Sequence, residues 1–85
     1  MSDTDRIEEL VRYLVTSLVD APDAVAIKRV DQGADVVLEV TVDPDDVGKV
    51  VGKQGRIIKA IRTLARAAGS SADGEETFVH VEVIG

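Results

Sequence analysis

Hydrophobic and polar positions follow a helical period near the start of the chain. Five apolar residues recur at the spacing of one helix face: Ile7, Leu10, Val11, Leu14 and Leu18. Such a stripe is typical of a helix that lies on a core, and it predicts a first helix from about residue 4 to residue 19. Pro22 follows two residues later and ends it. Tyr13 lies off the stripe and is expected at the surface or at an interface.

The next two segments have the pattern of a β-hairpin. Apolar and polar residues alternate imperfectly over residues 24–30. Over residues 36–42 every second residue is apolar and the residues between them are of mixed character, as in a half-buried strand. The short turn at residues 32–35 joins them into a predicted hairpin. Residues 78–84 alternate as well, and predict a last strand after a polar loop at residues 70–76.

Two helices are predicted between the hairpin and the last strand. Asp43 and Pro44 are a strong helix start, and this short helix runs to about Val51 before Gly52 ends it. Gly48 inside it costs about 1 kcal/mol against alanine, so we expect it to pack closely against another element.

The following helix runs from Gly55 to about residue 68 and is amphipathic. Its apolar face carries Ile57, Ile58, Ile61, Leu64, Ala65 and Ala68. Its opposite face carries Arg56, Lys59, Arg62 and Arg66. The order α-β-β-α-α-β predicts an α+β fold, with a three-stranded mixed sheet covered on one face by helices.

Composition narrows the class of protein. The chain has 85 residues and no cysteine, which predicts one domain without disulfides or a thiolate metal site. It has no apolar run of the roughly 20 residues that a membrane span needs and no signal-peptide pattern, so the cytoplasm is the expected location. No pair of acids has a spacing that argues for acid/base chemistry, and His80 is expected to be a structural or surface residue. We therefore predict neither an enzyme nor a cofactor or metal.

Charge is strongly localised. Residues 48–69 contain six Lys and Arg and no acid, in a chain whose net charge is −6. The acidic body argues against indiscriminate binding of polyanions. A local basic face is still compatible with binding a short site, because attraction to phosphate decays over roughly 8–10 Å.

The basic window contains the motif Gly52-Lys53-Gln54-Gly55. Glycines at both ends permit φ values that other residues avoid and let another backbone approach the main chain. The spacing matches neither the Walker A motif nor the dinucleotide motif. A plain helix–helix turn is the alternative interpretation of this motif, and a solvated charged face is the alternative for Arg62 and Arg66.

Residues 47–61, with this motif between two helices, resemble the core of the KH domain. The order of elements is similar to the bacterial type II form over nearly the whole chain, with the first helix at about 4–19 and the KH core at about 35–85. The small size and the Asp43-Pro44 helix start resemble the stand-alone bacterial KhpA-like proteins. The resemblance implies binding of about four nucleotides of single-stranded RNA. It also implies an RNA chaperone linked to cell shape and peptidoglycan homeostasis, and a homodimer or a heterodimer with a larger KhpB-like KH protein.

The expected RNA-binding residues follow from the motif and its charge. Lys53 and Gln54 point outward, and free amides near Gly55 and Arg56 offer donors to phosphate. Further charge is expected from Lys49, Arg56 and Lys59. The apolar floor of the groove is assigned to Val47, Val51, Ile58 and Val40. With few aromatic residues for stacking, we expect modest affinity.

Two other functions stay open at this point. One is a protein-interaction subunit that has kept the fold but has little RNA binding, as the net charge of the chain suggests. A reader of duplex DNA with helix-turn-helix geometry is the third alternative, although the strand that follows the helix pair argues against it.

Overall fold

A three-stranded sheet with three α-helices forms the fold. The computed structural model describes residues 3–33, 35–69 and 78–84. The elements in chain order are α1 (Asp3–Leu18), β1 (Ala26–Gln32), β2 (Asp35–Thr41), α2 (Val47–Val51), α3 (Arg56–Gly69) and β3 (Phe78–Ile84). This order confirms the predicted α-β-β-α-α-β arrangement and the α+β class. The predicted loop at residues 70–76 lies outside the described residues.

The sheet has the order β1-β2-β3 and is mixed, as predicted. β1 runs antiparallel to β2, and β2 runs parallel to β3. Leu38 in the central strand is opposite Arg29 on one side and Val81 on the other. Because side chains alternate between the two faces of a strand, Leu38 and Val81 share the face that the helices cover, and both are buried.

The core lies between that face and the helices. Among the described residues, the buried apolar side chains that form it are Ile7, Val11, Val15, Val19, Val36, Leu38, Val40, Val42, Val50, Ile58, Ile61, Ala65, Val79 and Val81. Helix α3 packs against both α1 and β3. This helix therefore joins the first helix to the edge of the sheet.

The buried face of α1 differs from the predicted stripe. Residues spaced four apart, Ile7, Val11 and Val15, are fully buried, whereas Leu18 is 37% exposed. Leu18 is the last residue of the helix, and the adjoining Val19 takes the core position instead. The helical period was recognised correctly, but the centre of the buried face follows Ile7, Val11, Val15 and Val19, and the predicted Leu10 and Leu14 are half-buried at its side. Tyr13 is 69% exposed.

The connections also change two predicted boundaries. The first strand was expected at residues 24–30, but Pro22–Ala24 forms a turn of 3₁₀ helix. The Val25 amide bonds to the Pro22 carbonyl at 3.2 Å, so β1 begins two residues later. Similarly, Pro44–Asp46 is a separate 3₁₀ turn that precedes α2.

The expected close packing of Gly48 is wrong. Gly48 is exposed, and a Cβ built there would meet no heavy atom within 4 Å. The apolar face of α3 is also narrower than predicted, because Leu64 is 48% exposed and Ala68 is exposed. Within the described ranges, no helix is both long enough and apolar enough to cross a membrane.

Candidate nucleic-acid interface

A turn of residues 52–55, called here the glycine turn, connects α2 to α3. Three of its residues have positive φ: Gly52 at 77°, Gln54 at 58° and Gly55 at 72°. The ψ of Gly52 is 176°, which places it in a region that is essentially restricted to glycine. Gln54, with ψ of 24°, is in the left-handed helical region, where a non-glycine residue is uncommon.

Internal hydrogen bonds hold this conformation. The Gly52 amide donates to the Gly48 carbonyl at 2.8 Å, and the Gly55 amide donates to the Gly52 carbonyl at 3.2 Å. The Arg56 amide donates to the Lys53 carbonyl. The expectation of free amides near Gly55 and Arg56 is therefore wrong, because both donors are already used within the turn.

The two central residues of the turn are its accessible part. Lys53 and Gln54 are exposed, and their amides donate none of the described turn hydrogen bonds. The Gln54 side-chain oxygen accepts a bond from Arg56 Nη2 at 3.4 Å. This contact joins the tip of the turn to the first residue of α3.

Gly52 is also required by packing. A Cβ at this position would lie 2.6 Å from Ile57 Cγ1 and 2.9 Å from Ile57 Cβ. At Gly55 the nearest such atom is Ile58 Cγ2 at 3.9 Å, an ordinary contact. Glycine is thus needed at position 52 for both backbone conformation and space, and at position 55 for backbone conformation alone.

The predicted basic residues lie in two different environments. Arg56 and Lys59 are exposed on α3. In contrast, Lys49 Nζ forms ion pairs with Asp20 and, at 3.1 Å, with Asp46. These hydrogen bonds raise the pKa of Lys49, and partial burial opposes them. Lys49 therefore has acidic partners of its own within the fold, which sequence reasoning did not anticipate.

The predicted apolar floor is only partly accessible. Val47 and Val51 are half-buried, and Ile58 retains 6% of its surface. Val40 is fully buried in the sheet, so it has no surface to offer to a base and its assignment is wrong. Ile57, which is half-buried beside the glycine turn, was missing from the predicted set.

A groove beside the edge strand β3 was not predicted. It has a volume of about 480 Å³ and is lined by Arg62, Arg66 and residues 78–82. Arg62 Nε donates to the Val81 carbonyl at 3.0 Å, and Phe78 is 52% exposed. The signal in the sequence was the spacing of Arg62 and Arg66, one turn apart on the basic face. The position of the strand edge beside them could not be deduced from it.

The arrangement of elements defines the class of protein. An αββααβ fold with a mixed sheet and a Gly-x-x-Gly turn between its paired helices is a type II KH domain. The chain belongs to the KhpA/KhpB KH-domain family, whose family model matches residues 8–83.

Individual relatives agree with this assignment. The chain is 46% identical to RNA-binding protein KhpA of Caldanaerobacter subterraneus subsp. tengcongensis, over 89% of this chain and 97% of the relative. It is 47% identical to RNA-binding protein KhpA of Clostridium perfringens, over 92% of this chain and the full length of the relative. With RNA-binding protein KhpA of Bacillus subtilis it shares 42% identity, over 85% of this chain and 89% of the relative.

The fold also occurs among solved structures. A crystal structure of a variant of Aquifex aeolicus Era, bound to GDP and AlF4−, matches with a TM-score of 0.65 and 24% sequence identity. The match covers 91% of this chain but 29% of the Era chain. The likeness shows that the fold recurs as a part of a longer protein.

Proposed function

We propose that this chain binds single-stranded RNA, with the sugar-phosphate backbone against the glycine turn. The observation that carries the proposal is the exposure of Lys53 and Gln54 at the tip of a turn whose conformation is held by its own hydrogen bonds. A preformed turn loses little conformational freedom on binding, which favours affinity. The relatives named RNA-binding protein KhpA support the choice of ligand.

The exposed cations of α3 and the groove beside β3 support a path for the RNA strand. Lys53 is followed by Arg56 and Lys59 on α3, and these exposed cations suit successive phosphates. Farther along the same helix, Arg62 and Arg66 line the groove at the edge of β3. We propose that bases enter this groove, and that Val47, Val51, Ile57 and Ile58 supply the apolar surface nearer the turn.

The test compares two variants that change charge equally. Lys53→Asp with Gln54→Asp alters the tip of the glycine turn, and aspartate tolerates the left-handed conformation at position 54. Lys28→Asp with Gln32→Asp is the matched control, because both residues are exposed on β1, at the opposite edge of the sheet. Circular dichroism first establishes that both variants remain folded.

Fluorescence anisotropy with labelled single-stranded RNA of about eight nucleotides then gives the affinities at several salt concentrations. We expect the turn variant to lose at least tenfold in affinity and the control to lose much less. A shallower salt dependence is expected of the turn variant, since each lost phosphate contact reduces the slope by about 0.7. Equal losses in the two variants, or unchanged binding by the turn variant, would remove the proposed interface. Preference for a duplex probe would instead support the DNA-reading alternative.

Self-association and pairing with a larger KhpB-like KH protein are also proposed. An observation that favours an interface is the exposure of large apolar side chains, among them Tyr13 at 69% and Leu64 at 48%. Light scattering measures self-association directly. A pull-down that resists ribonuclease, without RNA binding by the chain alone, would favour the protein-interaction function. RNA chaperone activity and the links to cell shape and peptidoglycan homeostasis stay predictions from family resemblance.

A further inference from the structure

A cluster of charged residues connects the segment after α1 to the start of α2. The Asp46 side chain is buried, with 2% exposure, and accepts a hydrogen bond from the Ala21 amide at 3.0 Å. Lys49 Nζ donates to Asp46 at 3.1 Å and also pairs with Asp20. One lysine on α2 therefore bridges a buried carboxylate and an exposed one, on two separate segments.

The cluster bears on the orientation of α2. A helix of five residues is too short to be stable without tertiary contacts. A buried carboxylate is tolerated only when it is paired and hydrogen-bonded, and here Lys49 and the Ala21 amide provide both. Without this arrangement the Asp46 carboxylate would have to become hydrated, and α2 would have to shift to let water reach it.

The glycine turn is joined directly to this short helix. Gly52 caps α2 by donating its amide to the Gly48 carbonyl, and Gly48 is the residue before Lys49. Because the glycine turn begins where α2 ends, a change in the orientation of α2 would also move the glycine turn. The exposed cations on α3 would keep their places, because α3 is anchored to the core by Ile58, Ile61 and Ala65.

We infer that Lys49 is a positioning residue for RNA binding: through Asp46 and Asp20 it orients α2 and the glycine turn, and it does not contact a phosphate. This inference rests on the proposed RNA-binding function. It reverses the expectation from the sequence, in which Lys49 was one of the cations along the path of the strand.

The salt dependence of RNA binding distinguishes a lysine that contacts phosphate from a lysine that only positions the glycine turn. Lys49→Met keeps most of the apolar stem and removes the charge, and Lys53→Met is the matched variant at the glycine turn. For Lys49→Met we expect RNA affinity to fall by roughly two- to thirtyfold, the range for residues that act through neighbours, with the salt slope unchanged. Lys53→Met should lower the slope by about 0.7, the effect of one phosphate contact. Lys49→Arg, which keeps the charge, should restore most of the affinity.

The outcomes distinguish this inference from the proposed function. If the unmodified chain does not bind single-stranded RNA, the proposed function fails, and the inference with it. If it binds and Lys49→Met lowers the salt slope as Lys53→Met does, Lys49 contacts phosphate and the inference is overturned. Unchanged affinity for folded Lys49→Met would also overturn it, because the cluster would then be merely structural.

Asp20→Asn provides a second variant in case Lys49→Met fails to fold. The Asp20 side chain is 82% exposed, so its replacement leaves the buried carboxylate paired. We expect RNA affinity to stay within twofold or to fall, with an unchanged slope. Asp23→Asn, an exposed acid in the same connection, is the control for the change in net charge. A gain in affinity and a steeper slope for Asp20→Asn alone would show that Asp20 withholds Lys49 from RNA, and would contradict the inference.

Discussion

The two glycines of the glycine turn should differ in their response to alanine. Both have positive φ, 77° at Gly52 and 72° at Gly55. Only at Gly52 would the added Cβ also collide with a neighbour, at 2.6 Å from Ile57 Cγ1. The collision cannot be relieved by moving the tip of a flexible side chain, because Ile57 Cβ itself would lie at 2.9 Å.

The expected losses in free energy of unfolding follow from the backbone conformation at each glycine and from the collision at Gly52. Gly55→Ala should cost about 1–2 kcal/mol, the penalty for an L-residue in the left-handed region. Gly52→Ala should cost about 1–3 kcal/mol for a backbone region that is essentially restricted to glycine. Overpacking against Ile57 adds about 1–3 kcal/mol, for a total of roughly 2–6 kcal/mol. A domain of 85 residues has a total stability of about 4–13 kcal/mol, so Gly52→Ala could remove half of it.

Urea unfolding followed by circular dichroism measures both variants. The double variant Gly52→Ala with Ile57→Ala relieves the closest part of the collision, since it removes Ile57 Cγ1 and Cδ1, which would lie 2.6 and 2.8 Å from the new Cβ, and leaves Ile57 Cβ at 2.9 Å. We expect a favourable interaction term of about 1 kcal/mol or more between the two substitutions. Equal costs for Gly52→Ala and Gly55→Ala, or strict additivity in the double variant, would refute the steric explanation.

Three further predictions concern the helix that leads into the turn. Gly48→Ala should stabilise the fold by about 0.5–1 kcal/mol in urea unfolding, because the site is exposed and a Cβ has no neighbour within 4 Å; destabilisation would contradict the open site. Asp43→Ala should cost about 0.5–2 kcal/mol in the same measurement, since its side chain accepts the amide two residues on at 2.9 Å, and no cost would exclude that cap. Burial alone would raise the pKa of Asp46, but hydrogen bonds from Lys49 and a backbone amide hold it below its ordinary value of 3.8. Asp46 thus adds stability that is lost as pH falls through that lowered pKa, and Asp46→Asn should show a weaker loss in acid; an unchanged pH profile would exclude this role.

Elements whose hydrophobic pattern allows only one structural interpretation were predictable from the sequence. The strict alternation of residues 36–42 and 78–84 gave β2 and β3 to within a residue, because only one face of each strand could be apolar. The helix pair was recognised from Pro44, Gly52 and the amphipathic run after Gly55. Together with the order of elements, these features were sufficient to identify the KH domain.

Details that depend on tertiary neighbours were not predictable. Val40 was assigned to a groove, but an apolar residue on the inner face of a central strand becomes core when helices cover that face. Lys49 was assigned to RNA because the window of residues 48–69 contains no acid, although Asp46 lies just before that window and Asp20 reaches Lys49 across 29 residues of chain. The groove at β3 depends on which strand lies at the edge of the sheet beside α3, and the local sequence pattern does not determine the order of the strands.

The most direct test of the central claim is an NMR titration. The amide chemical shifts of the ¹⁵N-labelled chain are measured as a short single-stranded RNA is added. If the glycine turn receives the backbone, the Lys53 and Gln54 amides should shift most, together with those at the start of α3. Amides on β1, at the far edge of the sheet, should stay unchanged. Shifts concentrated on β1, with the turn unaffected at saturating RNA, would contradict the proposed interface.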